Sequence, residues 1–355
     1  MSILSSSIEE VCMPEEMDLF IVLRGDHPTL PRSELGAIGE AEGVKITFKA
    51  SPIMIQRCRT GRKGVEAIAE RGYYTRYILE ELAYKKSSPD LLSYIQDIGF
   101  REHLEGGDFR VSIRSLKGAA DESLLRELRV KIIDHIKGET GSEHTLFHPD
   151  CWFRGYLSED WFIFGRLLKG TRMDIGSRRP HQRPSFHPSS LQPRVAGCMV
   201  NLSRARRDGV FLDPFCGAGS TLIEAGFIGC TPVGLDISKS MTEAAKRNLS
   251  HYSRGNGGVV RGDARRSPLL PVDSIATDPP YGRTTTVLGE ELHQLYRDFL
   301  ESSCSILREG GYLCIAAPDY IQVSEPGLET GFKHIESHFI RVHGSLTREI
   351  AVLQR

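Results

Sequence analysis

Apolar positions along the chain follow two periods, alternating with polar ones or running together where strands are expected, and recurring every third or fourth residue where helices are. In the first hundred residues, the run Met-Asp-Leu-Phe-Ile-Val-Leu at 17–23 reads as a strand, with Gly25 and Pro28 in its exit loop. Residues 32–42 read as a helix, 44–48 as a half-buried strand and 64–72 as a short helix, and 73–82 continue the pattern. Residues 1–100 therefore predict a small α/β sandwich in which no chemistry shows. A second unit starts near Arg101. There Phe109-Arg-Val-Ser-Ile-Arg alternates strictly, Asp121 stands as the N-cap of a helix running to Lys137, and Trp161-Phe-Ile-Phe-Gly-Arg is another strand. Arg126, Arg129 and Lys131 lie on that helix's polar face, which a solvated surface accounts for.

Between Gly170 and Arg194 the pattern breaks. Arg172, Arg178, Arg179, Arg183 and Arg194 oppose the single acid Asp174, with Pro180, Pro184, Pro188 and Pro193 interspersed. Such a stretch resists regular structure and reads as a linker, either a plain tether or an arm whose charge suits phosphates. His187 within it is a hydrogen-bonded structural residue or a ligand.

From 191 the chain becomes a regular alternation of helices and short apolar runs. Helices are expected over 191–202, from Ser220 or Thr221, and over 290–307, the last stopped by Gly310-Gly311. Apolar runs end at Asp213, Asp236 and Asp263, another leads into Asp278, and 312–316 is a fifth strand. Residues 339–343 and 350–353 flank Gly344-Ser345 as a terminal antiparallel hairpin. The expected domain is a doubly wound, mostly parallel sheet with one reversed strand, whose ligands bind at the carboxyl ends of the strands.

Composition narrows the class without naming a chemistry. Apolar residues make up 40% and charged residues 26%, no run approaches a membrane span, and the start lacks a basic region followed by an apolar one, so a soluble cytoplasmic protein is expected. The eight cysteines (Cys12, Cys58, Cys151, Cys198, Cys216, Cys230, Cys304, Cys314) are scattered without a Cys-x-x-Cys, which indicates neither a metal site nor a disulfide framework. The net charge of −1 confines any nucleic-acid surface to a local patch.

The stretch Thr277-Asp-Pro-Pro-Tyr-Gly282 carries the most specific chemistry. Tandem prolines remove two amide donors and stiffen the turn, so its backbone offers acceptors only. A planar exocyclic amine fits it, giving one hydrogen to the Asp278 carboxylate and one to the Pro279 carbonyl while its ring stacks on Tyr281. Two such acceptors favour a tetrahedral, nucleophilic nitrogen, and Asp278 can take its proton. The plain alternative is a stiff surface turn.

Val210-Phe-Leu-Asp-Pro-Phe-Cys-Gly-Ala-Gly-Ser-Thr is the second informative stretch. A dinucleotide fingerprint would need glycine where Leu222 stands, and Asp213 would face a pyrophosphate. An acid with Gly217 and Gly219 instead suits a cationic, phosphate-free cofactor, and S-adenosyl-L-methionine is such a ligand. Asp236 is the candidate for its ribose hydroxyls. Asp263 is the candidate acceptor for its adenine amine, with the Ala264 amide beside it. Each acid is open to a second reading as a helix cap, Asp236 before Ser238 above all.

These stretches together resemble the class I S-adenosylmethionine-dependent amino-methyltransferases carrying an Asp-Pro-Pro-Tyr motif. More narrowly, Arg183-Pro-Ser-Phe-His-Pro-Ser-Ser-Leu-Gln-Pro-Arg194, the 213–219 turn and Thr277-Asp-Pro-Pro-Tyr-Gly-Arg283 resemble the archaeal tRNA guanine-10 N2-methyltransferases. The likeness is strong over 183–308 and loose before it. The pattern over 101–169 resembles a THUMP domain, an RNA-binding module. The resemblance implies a Rossmann-like α/β methyltransferase domain at 191–355, preceded by a ferredoxin-like α/β domain at 1–100, a THUMP domain at 101–170 and an Arg/Pro-rich linker at 171–190. It implies that Asp213, Gly217 and Gly219 cradle the cofactor, that Asp236, Asp263 and Ala264 fix its nucleoside, and that Asp278, Pro279 and Tyr281 handle the guanine amine. It implies a tRNA substrate whose acceptor end the THUMP domain grips, with one or two methyl groups transferred. No residue pattern names a small activating partner. The alternatives are an amino-methyltransferase of another RNA position or of DNA, and a non-catalytic RNA-binding protein with a vestigial cofactor fold.

Overall fold

A computed structural model describes residues 15–355 except 26, 53, 87–90, 105, 117, 119, 159, 172–173, 253–256, 268–270, 282–287 and 344–345. Cys12, Gly282, Arg283, Gly344 and Ser345 thus lie outside the described residues. In chain order the elements are β1 (Met17–Leu23), α1 (Leu30–Glu42), β2 (Thr47–Phe48), β3 (Ile55–Thr60), α2 (Arg62–Arg71), β4 (Thr75–Lys86), α3 (Ser93–Gln96), α4 (Arg101–Leu104), β5 (Phe109–Ser115), α5 (Glu122–Thr140), β6 (Cys151–Leu157) and β7 (Trp161–Gly170). They continue as α6 (Pro193–Leu202), β8 (Val210–Asp213), α7 (Ser220–Ile228), β9 (Thr231–Asp236), α8 (Lys239–Tyr252), β10 (Gly258–Arg261), β11 (Val272–Thr277), α9 (Leu288–Ile306), β12 (Leu307–Pro318), α10 (Ser324–Glu329), β13 (Lys333–His343) and β14 (Leu346–Gln354). Among the described residues no helix is long and apolar enough to cross a membrane.

The chain divides into two units. The first is built on a seven-stranded sheet in the order β2-β3-β1-β4-β7-β6-β5, antiparallel except for the β5–β6 pair. The strand pair β4–β7 joins residues on both sides of the expected boundary at 100, so both N-terminal segments share one sheet. α5 covers one face, packing Leu125, Leu128, Ile132 and Ile136 with Phe109, Phe153 and Phe164. Its start is capped as expected, Asp121 accepting from the Leu124 amide at 2.8 Å, and Lys131 pairs with Glu127 one turn back on the solvated side. The half-buried strand expected over 44–48 shrinks to Thr47–Phe48, a two-residue pairing at the sheet edge.

The second unit holds the sheet β10-β9-β8-β11-β12-β14-β13, in which β14 alone runs opposite to the other six strands. α1 belongs to this unit rather than to the N-terminal one, together with residues 70–74. The reason is a buried polar tie: Glu34 accepts from the Tyr73 and Tyr74 amides at 3.0 and 2.9 Å and from Asn201 Nδ2 at 2.9 Å. Gly310-Gly311 does not end α9. The helix stops at Ile306, and β12 begins at Leu307 with residues 308–311 bulging out between the Val272↔Leu307 and Ser274↔Tyr312 pairs, where Gly310 takes a φ of 75°.

Residues 174–194 are no loose tether. Arg178 is buried and donates from Nε to both oxygens of Glu224, at 3.0 and 3.1 Å. Arg183 is buried too, giving Nη1 to Ser220 Oγ at 2.7 Å, and Asn248 grips the Ser185 amide and carbonyl at 2.8 and 3.0 Å. A reading of Arg178 and Arg183 as phosphate contacts is therefore overturned, because both are spent on α7 of their own unit. His187 bonds Ser189 Oγ at 2.7 Å, and among the described residues no cluster suited to a metal ion forms.

Candidate active site

Three adjacent strands, β9, β8 and β11, end at the same edge and deliver Asp236, Asp213 and Asp278 there. The turn after β8 folds back between them because its amides find acceptors along the way. Phe215 N donates to Asp213 Oδ1 at 3.1 Å, Cys216 N to the Leu235 carbonyl at 2.9 Å, and Gly217 N to Asp236 Oδ2 at 2.9 Å. Gly217 and Gly219 hold φ values of 49° and 86°, in the left-handed region where a side chain strains the backbone, and α7 starts directly after them. Leu222 is buried 2.5 Å from where a Cβ on Gly234 would stand. That close packing of helix on strand uses a glycine on β9 in place of a third glycine in the turn.

The acids do different jobs. Asp213 is 3% exposed and turned inward, accepting from the hydroxyls of Thr277, at 2.6 Å, and Thr221. Burial pushes its carboxyl up to about 7 against those hydrogen bonds, and the charge of Asp278 adds to the rise. Asp213 thus ties the ends of β8 and β11 to the start of α7 and shapes the cradle from behind. Asp236 is half-buried, and besides Gly217 it accepts from Ser238 N at 2.8 Å. Ile237 beside it is 64% exposed, a large apolar side chain that residue periodicity does not single out. Asp263 accepts from the Arg265 guanidinium with both oxygens, Oδ1 from Nε at 3.1 Å and Oδ2 from Nη2 at 2.7 Å, and those bonds hold its carboxyl below the usual range. Ala264 is buried beneath it. A concavity of about 570 Å³ opens there, lined by Asp263, Arg265, Arg266, Asp298, Glu301 and Ser302, and its charged lining excludes the three acids at the strand ends.

Beyond β11 the Asp-Pro-Pro-Tyr turn closes on itself. Tyr281 Oη donates to Asp278 Oδ1, Pro279 is buried, and the Tyr320 hydroxyl holds the Tyr281 carbonyl at 2.9 Å. Burial raises the Asp278 carboxyl and the Tyr281 hydroxyl alike. Sequence reasoning misses Arg348, whose Nε donates to Tyr281 Oη at 2.5 Å and whose Nη2 lies 3.5 Å from Asp278 Oδ2. A signal exists. A reversed strand starts where its parallel neighbours end, so polar residues at the start of β14 belong to the ligand edge, and Arg348 pairs with Pro318 at the end of β12.

Known proteins share this design. The family model described as "UPF0020: RMKL-like, methyltransferase domain" matches residues 180–350. The tRNA (guanine(10)-N2)-dimethyltransferase of Methanothermobacter thermautotrophicus is 37% identical over 96% of this chain and 100% of its own length. The chain belongs to the tRNA (guanine(10)-N2)-dimethyltransferase family. The relative of the same name from Methanocaldococcus jannaschii is 29% identical over 94% of this chain and 99% of its own. Among solved structures, TrmN from Thermus thermophilus aligns over 96% of this chain and 99% of its own with a TM-score of 0.56 at 20% identity, a likeness of fold.

Proposed function

We propose that this protein uses S-adenosylmethionine to methylate the exocyclic N2 of guanosine in tRNA, at position 10, and that it places two methyl groups there, in keeping with relatives named tRNA (guanine(10)-N2)-dimethyltransferase. The observation that carries the reading is the juxtaposition at one sheet edge of a glycine cradle, a half-buried ribose acid and the Asp278–Tyr281 turn.

The cradle fits the cofactor. A Cβ at Gly217 would meet nothing within 4 Å, so the turn leaves open space over its left-handed backbone. Asp236 keeps acceptor capacity for ribose hydroxyls beyond its two amide bonds, and Ile237 offers an apolar face for a purine ring. Asp263 and Ala264 are proposed at the adenine end; there Asp263, bound by Arg265, acts through the Ala264 amide and the shape of the 264–266 turn. When bound, S-adenosylmethionine supplies an electrophilic methyl group, an N–C bond forming as its S–C bond breaks. Asp278 and the Pro279 carbonyl accept the amine hydrogens, and Asp278 takes the proton released. Tyr281 gives the guanine a face. Alignment of this kind contributes up to about 7–11 kcal/mol, against about 10²–10⁴-fold for the positioned base.

Residues 101–170 are proposed as the THUMP module and 1–100 as the domain before it, the two joined through one sheet. The first unit carries two arginines stacked on aromatic rings. Arg154 is 2% exposed, its Nε and Nη1 find no acceptor among the described residues, and its guanidinium lies over the rings of Tyr77 at 3.9 Å and Trp152 at 4.6 Å. Arg110 stacks on the same indole at 4.5 Å. Arg154 holds this ring platform from within, whereas the half-buried Arg110 beside Trp152 is the guanidinium that a polyanion can reach on a chain of net charge −1.

The test is incubation with labelled S-adenosylmethionine and a tRNA transcript, followed by digestion and mass spectrometry of the nucleosides. Label in N2-methyl- and N2,N2-dimethylguanosine at position 10 is expected. Label in another nucleoside, in DNA, or in no nucleic acid refutes the assignment.

A further inference from the structure

Arg348 enters the carboxyl edge of the sheet from the reversed strand, and its guanidinium touches both partners of the Asp-Pro-Pro-Tyr turn. Nε holds Tyr281 Oη at 2.5 Å, Nη2 stands 3.5 Å from Asp278 Oδ2, and the tyrosine hydroxyl closes the triangle by donating to Asp278 Oδ1. The side chains of Arg348 and Asp278 are only 15% and 18% exposed, so water and salt screen the pair weakly.

We propose that Arg348 is a positioning residue for methyl transfer, fixing the Tyr281 ring and the Asp278 carboxylate in the arrangement that receives the target amine. This rests on the reading of the Asp278–Tyr281 turn as the amine site. A carboxylate oxygen has two acceptor sites, so Oδ1 can keep the tyrosine hydroxyl and still take an amine hydrogen. It can take up the proton released only while ionised, since a protonated carboxyl has no vacancy for it. The groups facing Asp278 divide unevenly. Asp213 from β8 adds a like charge, Tyr296 from α9 brings a buried hydroxyl, Tyr281 donates from the same turn, Tyr320 beyond β12 faces Tyr296 and holds the Tyr281 carbonyl, and Arg348 from β14 supplies the positive charge. Burial alone drives Asp278 toward its neutral form, and the arginine opposes that drive. A lysine would keep the charge but could not hold hydroxyl and carboxylate through one planar fork.

The experiment compares Arg348→Ala, Arg348→Lys and Asp278→Ala with the parent enzyme. Single-turnover kcat, the KM for tRNA, the pH dependence of kcat and the calorimetric affinity for S-adenosylmethionine are measured for each. Arg348→Ala is expected to lower kcat about 100-fold, the scale of a small misplacement, and to change KM less than about threefold. The acid limb of its kcat profile should move up by about one pH unit, because a carboxylate robbed of its counter-charge protonates earlier as pH falls. Arg348→Lys should keep the limb in place and recover part of kcat. If Arg348→Ala does not fold, a displaced limb in Arg348→Lys, or its full kcat, overturns the proposal by itself. A kcat within about twofold of the parent in Arg348→Ala, or a loss confined to the tRNA KM, also overturns it. An inactive Asp278→Ala beside a normal Arg348→Ala removes only the role of Arg348, whereas an active Asp278→Ala removes the amine site itself.

Discussion

Replacing Arg178 by alanine separates a structural from a nucleic-acid role for the arginine-rich segment. Arg178 and Glu224 are 3% and 0% exposed, and the carboxylate accepts from Nε at 3.0 and 3.1 Å and from the Tyr73 hydroxyl at 2.6 Å, with Nη2 ion-paired to Oε2 at 2.9 Å. The guanidinium also lies 4.1 Å over the Phe227 ring. Removing one partner leaves a buried carboxylate with a single neutral donor, a change that costs about 3–5 kcal/mol. With a urea dependence of about 2–3 kcal/mol per molar, the midpoint should fall by about 1–2 M. Both tryptophans, Trp152 and Trp161, lie in the first unit, so indole fluorescence reports that unit while far-ultraviolet circular dichroism reports both. The loss should appear in the dichroism and far less in the fluorescence. The pH dependence has a definite sign. Burial already lifts Glu224 above its ordinary 4.5, and loss of Arg178 lifts it further. A folded value above the unfolded one means stability that is present at low pH and lost as pH rises, so the deficit should widen as pH climbs above the ordinary carboxylate range. Adding Glu224→Gln should recover part of the loss. An unchanged midpoint together with weakened tRNA binding would refute the burial argument and return Arg178 to the phosphates.

The remaining predictions concern the two sites. Asp278→Ala should lower methyl transfer at least about 100-fold while calorimetry shows S-adenosylmethionine still binding, and near-normal turnover would end its assignment as acceptor. Asp236→Ala should weaken that binding at least about tenfold, roughly 1.4 kcal/mol, and an unaltered dissociation constant would remove it from the site. Arg110→Met should reduce the salt dependence of tRNA binding by about one unit of slope and leave cofactor affinity alone; an identical slope would show that no phosphate meets it. Asp213, raised from 3.8 to about 7, contributes stability that is lost as pH climbs through that interval. Asp213→Asn should flatten the stability profile there, and a slope identical to the parent's would contradict the burial of that carboxyl.

Periodicity makes the sheet legible because the physics is local: an apolar run tipped by an acid is a buried strand meeting solvent, and four such runs locate one edge. The division of labour among the acids is not local. Asp213, Asp236 and Asp263 all end apolar runs, yet one faces three protein donors, one straddles the cradle and one is bound by its own neighbour Arg265. The same residue type satisfies a ligand or a protein amide equally well, so only burial and partner geometry separate them. The arginine segment fails for the complementary reason. Its partner is a lone acid, Glu224, inside the apolar helix Ser220–Ile228, and a carboxylate that must be buried there demands a cation from elsewhere. That demand can be read from Glu224 but not from the arginines, which look alike in sequence whether they meet phosphate or carboxylate. Arg348 extends the point to the active site. Its neighbours in sequence are the polar residues Thr347 and Glu349, and what distinguishes it is topology, since strand reversal brings the start of β14 to the edge where Asp278 stands. Buried charge is thus read most reliably from the side that cannot avoid burial, and at this edge that side is the carboxylate of Asp278, held between a tyrosine hydroxyl and a guanidinium.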